Sequence, residues 1–261
     1  MTVTVPTVDG RIVGLTLTDR IYPRIIASLW GPPKSGKSHI PLLTFPEPVA
    51  GIEIGETGIE DLTLMHPERD IRYYPLIIPN LVPSRGDHEK LLAEFDETLN
   101  KVVDHKDFED GGTVAIDSAS RLWRSIRVVK IEETHEASER TKKNQADYEG
   151  ANEYMEQIVQ TARRNRRLNI IFVHRHREIY RMVDGKLQDT GDIEGRDYKG
   201  MENLVQIQIR TGKAEYFAGK DKPKVLDFAH TIEHCRFKPE LEGMMVRRLD
   251  YNKLMELMFN D

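Results

Sequence analysis

The run Gly31-Pro32-Pro33-Lys34-Ser35-Gly36-Lys37-Ser38 satisfies the phosphate-binding loop pattern G-x-x-x-x-G-K-S/T at every fixed position. Such a loop works only between a strand and a helix, so it constrains the fold as well as the ligand. Arg24 to Trp30 reads as a short apolar strand, and Lys37 to Thr44 can begin a helix. Gly31 and Gly36 permit backbone angles that a side chain forbids, which lets successive N–H groups converge on one anion. Pro32 and Pro33 have no N–H, so the donors must come from Ser35 to Ser38. Lys37 is expected to reach the β and γ phosphates of a nucleoside triphosphate, and the Ser38 hydroxyl to bind Mg²⁺. The competing reading, a Gly/Pro surface turn with a stray lysine, does not account for the apolar strand in front of it.

The 261 residues suit one α/β domain, expected over 21–261, behind an N-terminal tail and edge strand in 1–20. The single cysteine, Cys235, cannot form an internal disulfide or a multi-cysteine zinc site, so a reducing cytoplasm is the expected location. No secretory start is visible, and no apolar run approaches the ~18 residues needed to span a bilayer, so no membrane partner is expected. Net charge is −5. Contact with nucleic acid would therefore need a local basic surface.

Further acids complete a candidate site. Val49 to Ile54 reads as a strand that empties into Gly55-Glu56-Thr57-Gly58, where open α/β sheets bind ligands. Glu56 is the candidate to orient an attacking water, with Glu60 a nearby substitute; a plain helix-start charge is the alternative. Thr113 to Asp117 is a brief apolar strand ending in an acid, and Asp117 fits the carboxylate that holds Mg²⁺ opposite the loop serine. Ser118 can instead cap the helix that follows. Leu168 to Val173 is another clear strand, and it empties into His174-Arg175-His176-Arg177. His174 or His176 could hydrogen-bond the γ phosphate.

The remaining segments set the frame. Leu91, Leu92, Phe95, Leu99, Val102 and Val103 share a helical face, and so do Tyr154, Met155, Ile158, Val159 and Ala162. The second of these helices ends in Arg163, Arg164, Arg166 and Arg167, which favour a helix C-terminus and stay solvated, or else touch nucleic acid. From about 178 to 250 the pattern turns β-rich, with charged loops at 184–200 and 211–224. The second loop interleaves Lys213, Lys220, Lys222 and Lys224 with Tyr216 and Phe217. Charge that tracks a backbone beside rings that stack on bases suits single-stranded DNA; an ordinary exposed hairpin is the alternative.

The order of these features resembles the RecA-like ATPases, in particular small viral and phage members related to single-strand annealing proteins. The phosphate-binding loop, "IEIGETG", "TVAIDS", "NIIFVHRHRE" and "TIEHCRFKPELEG" carry the likeness, over roughly 20–258. It implies a mainly parallel sheet flanked by helices with an antiparallel β extension in the C-terminal third. It also implies ATP and Mg²⁺ as ligands, hydrolysis of the phosphoric anhydride, and Glu56 as the catalytic glutamate, although Gly55 stands where that motif often has Thr. His174 matches the polar sensor after the fifth strand. Arg236 and Lys238 match cations that reach a neighbouring subunit's ATP site in a ring or filament, so the likeness implies a homo-oligomer. Residues 184–200 resemble the DNA-contacting loop by position.

Other readings share part of the pattern. A helicase or packaging-type motor has the same core, a small-molecule kinase would use an Arg-rich lid, and an ATP-dependent assembly or adaptor protein would hydrolyse only to reset an oligomer. A GTPase is disfavoured, because Asp192-Ile-Glu-Gly195 follows no apolar strand and no N-K-x-D occurs.

Overall fold

The computed structural model describes residues 3–6, 12–15, 24–78, 80, 82–138, 148–183, 186–195, 200–217 and 224–259. After a short N-terminal pair, β1 (Val3–Pro6) and β2 (Ile12–Leu15), the chain alternates strands and helices: β3 (Ile26–Gly31), α1 (His39–Thr44), β4 (Val49–Ile54), α2 (Gly58–Met65), β5 (Ile71–Leu76), α3 (Arg85–Val103), β6 (Gly112–Asp117), α4 (Ala119–Ser138) and α5 (Glu149–Arg163). The last third is mostly strand: β7 (Leu168–Val183), β8 (Lys186–Gly195), α6 (Met201–Leu204), β9 (Ile207–Phe217), β10 (Lys224–Cys235), β11 (Met245–Arg247) and the closing helix α7 (Tyr251–Phe259).

The central sheet runs β11-β10-β9-β3-β7-β6-β4-β5. Every pair from β9 to β5 is parallel, while β10 and β11 join antiparallel. Parallel sheets need cover on both faces, and β3, β4 and β6 bury all of their residues. On one face Ile52, Ile116, Ile170 and Phe172 pack with the apolar stripes of α3, α4 and α5. On the other, α1 and α7 cover Ala27, Leu29, Ile171 and Ile209, and α2 covers Val49 and Ala115. α3 starts cleanly because Ser84 and Asp87 form a capping box. Pro75 is tolerated in β5 because that strand is at the sheet's edge. This is the layout expected of a RecA-like fold, with β7 inserted between the loop strand β3 and the acid-bearing strand β6.

Some expectations change. The edge strand expected within 1–20 is β2, but it pairs with β1 from the same segment in a sheet of its own, not with an edge of the central sheet. The segment 211–224 is largely hairpin rather than loop, since β9 and β10 pair from Lys224↔Phe217 to Cys235↔Ile207. Beyond it β10 runs as one strand to Cys235, interrupted by a bulge between Ile232 and His234. Within 184–200, β8 pairs with the distal half of β7, while residues 184–185 and 196–199 lie outside the described residues, as do Lys220 and Lys222.

Candidate active site

β3 delivers Gly31 to the C-terminal edge of the parallel strands. Gly31 is required there because a Cβ would lie 2.2 Å from the Thr211 carbonyl oxygen of β9. The loop then takes left-handed angles at Lys34 (φ 59) and Gly36 (φ 86), the alternation that gathers N–H groups into an anion-binding concavity. Among the described residues, no acceptor faces the N–H groups of Ser35 to Ser38. Pro32 is half-buried, and Pro33 and Lys34 are exposed at the rim. Ser35 is buried, and its hydroxyl lies 2.6 Å from that of Thr211, so it braces the loop against β9. Thr211 in turn donates to the Trp30 carbonyl at 3.1 Å.

Lys37 and Ser38 meet the carboxylates. The Ser38 hydroxyl donates to Asp117 Oδ2, which joins the loop to the end of β6. Asp117 is buried, and burial first, then the nearby Glu56 and Glu53, push its pKa up to about 6 against the opposing pull of Ser38 and Lys37. Lys37 donates to the Pro32 carbonyl at 2.8 Å. Burial and the nearby Arg175 lower its pKa, while Asp117 and Glu56 raise it. An oxygen-only pair, Ser38 with a buried carboxylate set among further acids, fits a hard cation such as Mg²⁺.

Glu56 stands at the end of β4, where the chain turns at Gly55 (φ 63). A Cβ on Gly55 would lie 2.4 Å from an Arg121 guanidinium nitrogen, so the glycine admits that arginine. Glu56 Oε1 accepts from Arg175 Nε at 3.0 Å and from a second Arg175 nitrogen at 2.5 Å, with Arg121 at 3.8 Å. Glu60 lies in the first turn of α2.

Two site residues were not singled out by the motifs. Arg175 is one; its backbone N–H is held by the Ser120 hydroxyl at 2.9 Å. Glu53 is the other. It is buried beside Asp117 in the β4–β6 register, and its Oε1 accepts from the N–H groups of Gly58 at 2.6 Å and Ile59 at 3.1 Å. Those bonds tie the start of α2, and with it the loop carrying Glu56, to the sheet. Burial raises the Glu53 pKa against these hydrogen bonds. The charge inside the apolar run Ile52-Glu53-Ile54 was the available signal.

The other sequence candidates lie elsewhere. His174 is fully buried, stacked on Phe172 at 6.3 Å, with neither ring nitrogen hydrogen-bonded, and burial depresses its pKa to about 3. Strand alternation puts it with Ile170 and Phe172 on the α3–α5 face, and puts Arg175 with Ile171 and Val173 on the loop face. His176 pairs with Gly195 at the root of the β7–β8 hairpin. Arg236 and Lys238 follow the end of β10, at the edge of the sheet opposite the loop, where Arg236 donates to the Asn203 carbonyl at 2.8 Å. On the β9–β10 hairpin, the exposed Phe228 ring lies beside Gly36 and has Lys213 Nζ 5.3 Å from its centroid, and Arg247 lies 4.9 Å over Tyr216.

No family model matches the chain, and no curated protein matches it. Among solved structures, the RadB recombinase is similar at 18% identity over 87% of each chain, with a TM-score of 0.48. The assignment of the fold therefore rests on strand order and on the loop geometry. No helix among the described residues is long and apolar enough to cross a membrane.

Proposed function

We propose that the chain binds and hydrolyses ATP with Mg²⁺ and acts on single-stranded DNA as a RecA-like protein of the recombination and annealing class. The observation that carries the ATPase reading is the convergence of the loop's free N–H groups, Lys37, Ser38, Asp117 and Glu56 at one edge of the sheet. The N–H groups of Ser35 to Ser38 bind phosphate, and Lys37 exchanges its Pro32 carbonyl for phosphate oxygens. Ser38 and Asp117 would hold Mg²⁺, which supplies charge neutralisation on the β and γ phosphates. Glu56 orients the attacking water. Arg175, bound to Glu56, is placed to follow the γ phosphate in the role that sequence likeness gave to His174. Arg236 and Lys238 act only from a neighbouring copy in a homo-oligomer with ATP at its interfaces.

DNA binding is supported by the lysines and rings of the β9–β10 hairpin and by the hairpin that continues from Arg175. An adaptor that hydrolyses slowly is the second reading, favoured by the Arg175–Glu56 pair, which holds the water-orienting acid in a resting arrangement.

The test is ATP turnover by purified Lys37→Ala protein. Loss of turnover is expected, and unchanged hydrolysis would remove the ATPase reading. Mixing inactive Lys37→Ala and Arg236→Ala proteins should restore some activity if the site is shared between copies. Stimulation by single-stranded DNA that fades with salt separates the DNA-directed reading from the adaptor.

A further inference from the structure

At the end of the sheet opposite the phosphate-binding loop lies an open cavity of about 530 Å³, between the C-terminal end of α3, residues 104–109 and the Asn165-containing run 164–167 after α5. Residues Leu168 to Arg175 of β7 separate it from the nucleotide site, roughly 23 Å at the rise of a strand. His105, Lys106, Arg164, Arg166 and Arg167 line it, against Asp104 and Glu109.

Basic residues at helix ends usually offset the exposed carbonyls there. Here that role is filled: Arg24 donates to the carbonyls of Arg163 and Asn165 at 3.2 Å each, and Arg164 bonds Asn100 at 2.6 Å and Asp104 at 3.3 Å. Arg167 pairs with Asp110 at 2.8 Å. Arg166 and Lys106 are left over. Both are exposed, and neither side chain makes a hydrogen bond or ion pair among the described residues. The like charges crowd one another: after burial, Arg163 and Arg166 are what lower the Arg24 pKa. Asp104, Asp107, Glu109 and Asp110 offset part of this charge, and Lys106 helps to hold the Asp107 carboxyl below its ordinary value, but neither Lys106 nor Arg166 is within ion-pair distance of a carboxylate among the described residues, so both can still take up a bound anion.

The lining also says which kind of anion. Val103 is its single apolar residue and is buried, so the side chains that present themselves to the cavity are charged or polar at their tips, unlike the apolar residues that line pockets for small organic ligands. Recognition there is by charge, along an open surface.

We propose that this cavity binds the sugar-phosphate backbone of a nucleic-acid strand, with Lys106 and Arg166 as its phosphate contacts. The choice of ligand class rests on the nucleic-acid role proposed above; the site itself is independent of ATP. Asp104 and Glu109 oppose the anion, so binding is modest and steeply salt-dependent.

The test measures binding of a fluorescein-labelled thymidine oligonucleotide by anisotropy at low and physiological salt, for wild type and for Lys106→Ala/Arg166→Ala. The double variant should bind about tenfold more weakly at low salt, and the slope of log affinity against log salt should shrink by about 1.4, two single-strand phosphate contacts. Lys106→Arg/Arg166→Lys should bind as wild type does. ATP turnover without DNA should be unchanged in both variants, which shows that they fold. Equal affinity and slope in wild type and the alanine variant overturns the inference and leaves the proposed function standing. Absence of binding by wild type overturns both this inference and the DNA-directed reading, but not the ATPase. Inorganic pyrophosphate that displaces the oligonucleotide from wild type at matched phosphate concentration assigns the cavity to free polyphosphates and overturns it too.

Discussion

The two ends of the parallel sheet both gather charge, but in opposite ways. At the C-terminal edge, Glu56 and Asp117 are matched against Lys37, Arg121 and Arg175, Glu53 is held by backbone N–H groups, and two of the acids, Glu53 and Asp117, are buried. At the N-terminal edge, exposed arginines lie beside one another, and two cations, Lys106 and Arg166, have no carboxylate within ion-pair distance among the described residues. A buried network must be internally satisfied, since an unpaired buried charge costs several kcal/mol. An exposed cluster carries no such demand and can wait for a polyanion. The first arrangement suits chemistry at one point, and the second suits contact along a strand.

Breaking a match at the first end should have the largest effects. Glu56→Gln should lower ATP turnover by about 10²- to 10⁴-fold with nucleotide binding retained, and Arg175→Ala by roughly 10²-fold, both read as kcat against nucleotide Kd. Equal, wild-type rates in both variants would mean that the pair is a surface contact.

Asp117→Asn separates stability from activity. The folded pKa of about 6 lies above the ordinary 3.8, so the folded state binds this proton more tightly than the unfolded one. Asp117 therefore favours the fold most below pH ~3.8, and that contribution falls as pH rises through about 6. Asp117→Asn should raise the Tm of the ligand-free protein at pH 8 by a few degrees, should not raise it at pH 4, and should abolish Mg²⁺-dependent turnover.

Thr211→Val removes the brace on Ser35 and should cost about 1 kcal/mol in stability, measured by denaturant unfolding, with a few-fold loss of nucleotide affinity. The smallest effect belongs to the α3–α5 face. His174 is held neutral with a folded pKa of about 3, below the unfolded 6.5, so it contributes stability at neutral pH that is lost as pH falls through 6.5 toward 3. His174→Phe should flatten that acid loss while leaving turnover at pH 7.5 near wild type. A large fall in turnover would return His174 to the catalytic set.

Much of the site was legible along the chain. The loop and its Ser38 announce themselves through the fixed pattern, and Asp117 and Glu56 as polar residues just at or beyond the end of an apolar strand, where local pattern and chemistry coincide. Arg175 and His174 could not be told apart that way. β7 is covered on both faces up to Val173, so the run before these two residues has no polar/apolar alternation to reveal which of them faces the loop. Glu53 lies inside a fully buried strand, where its charge within an apolar run was its one mark.

The C-terminal third shows the other limit. Its turn residues and charged stretches read as loops, yet cross-strand pairing makes 207–217 and 224–235 one long hairpin whose Thr211 supports the phosphate-binding loop. The arginine run after α5 was visible as charge alone; only its neighbours reveal that Arg24 already serves the carbonyls there and that Arg164 is used on the Asn100 and Asp104 side chains. By itself the sequence determined the phosphate-binding loop, the alternating α/β pattern and the strand-end acids, because these depend on contiguous residues. Tertiary structure decided which arginine holds Glu56, which face hides His174 and where cations remain unmatched, because those depend on sheet order and on contacts between residues far apart in the chain.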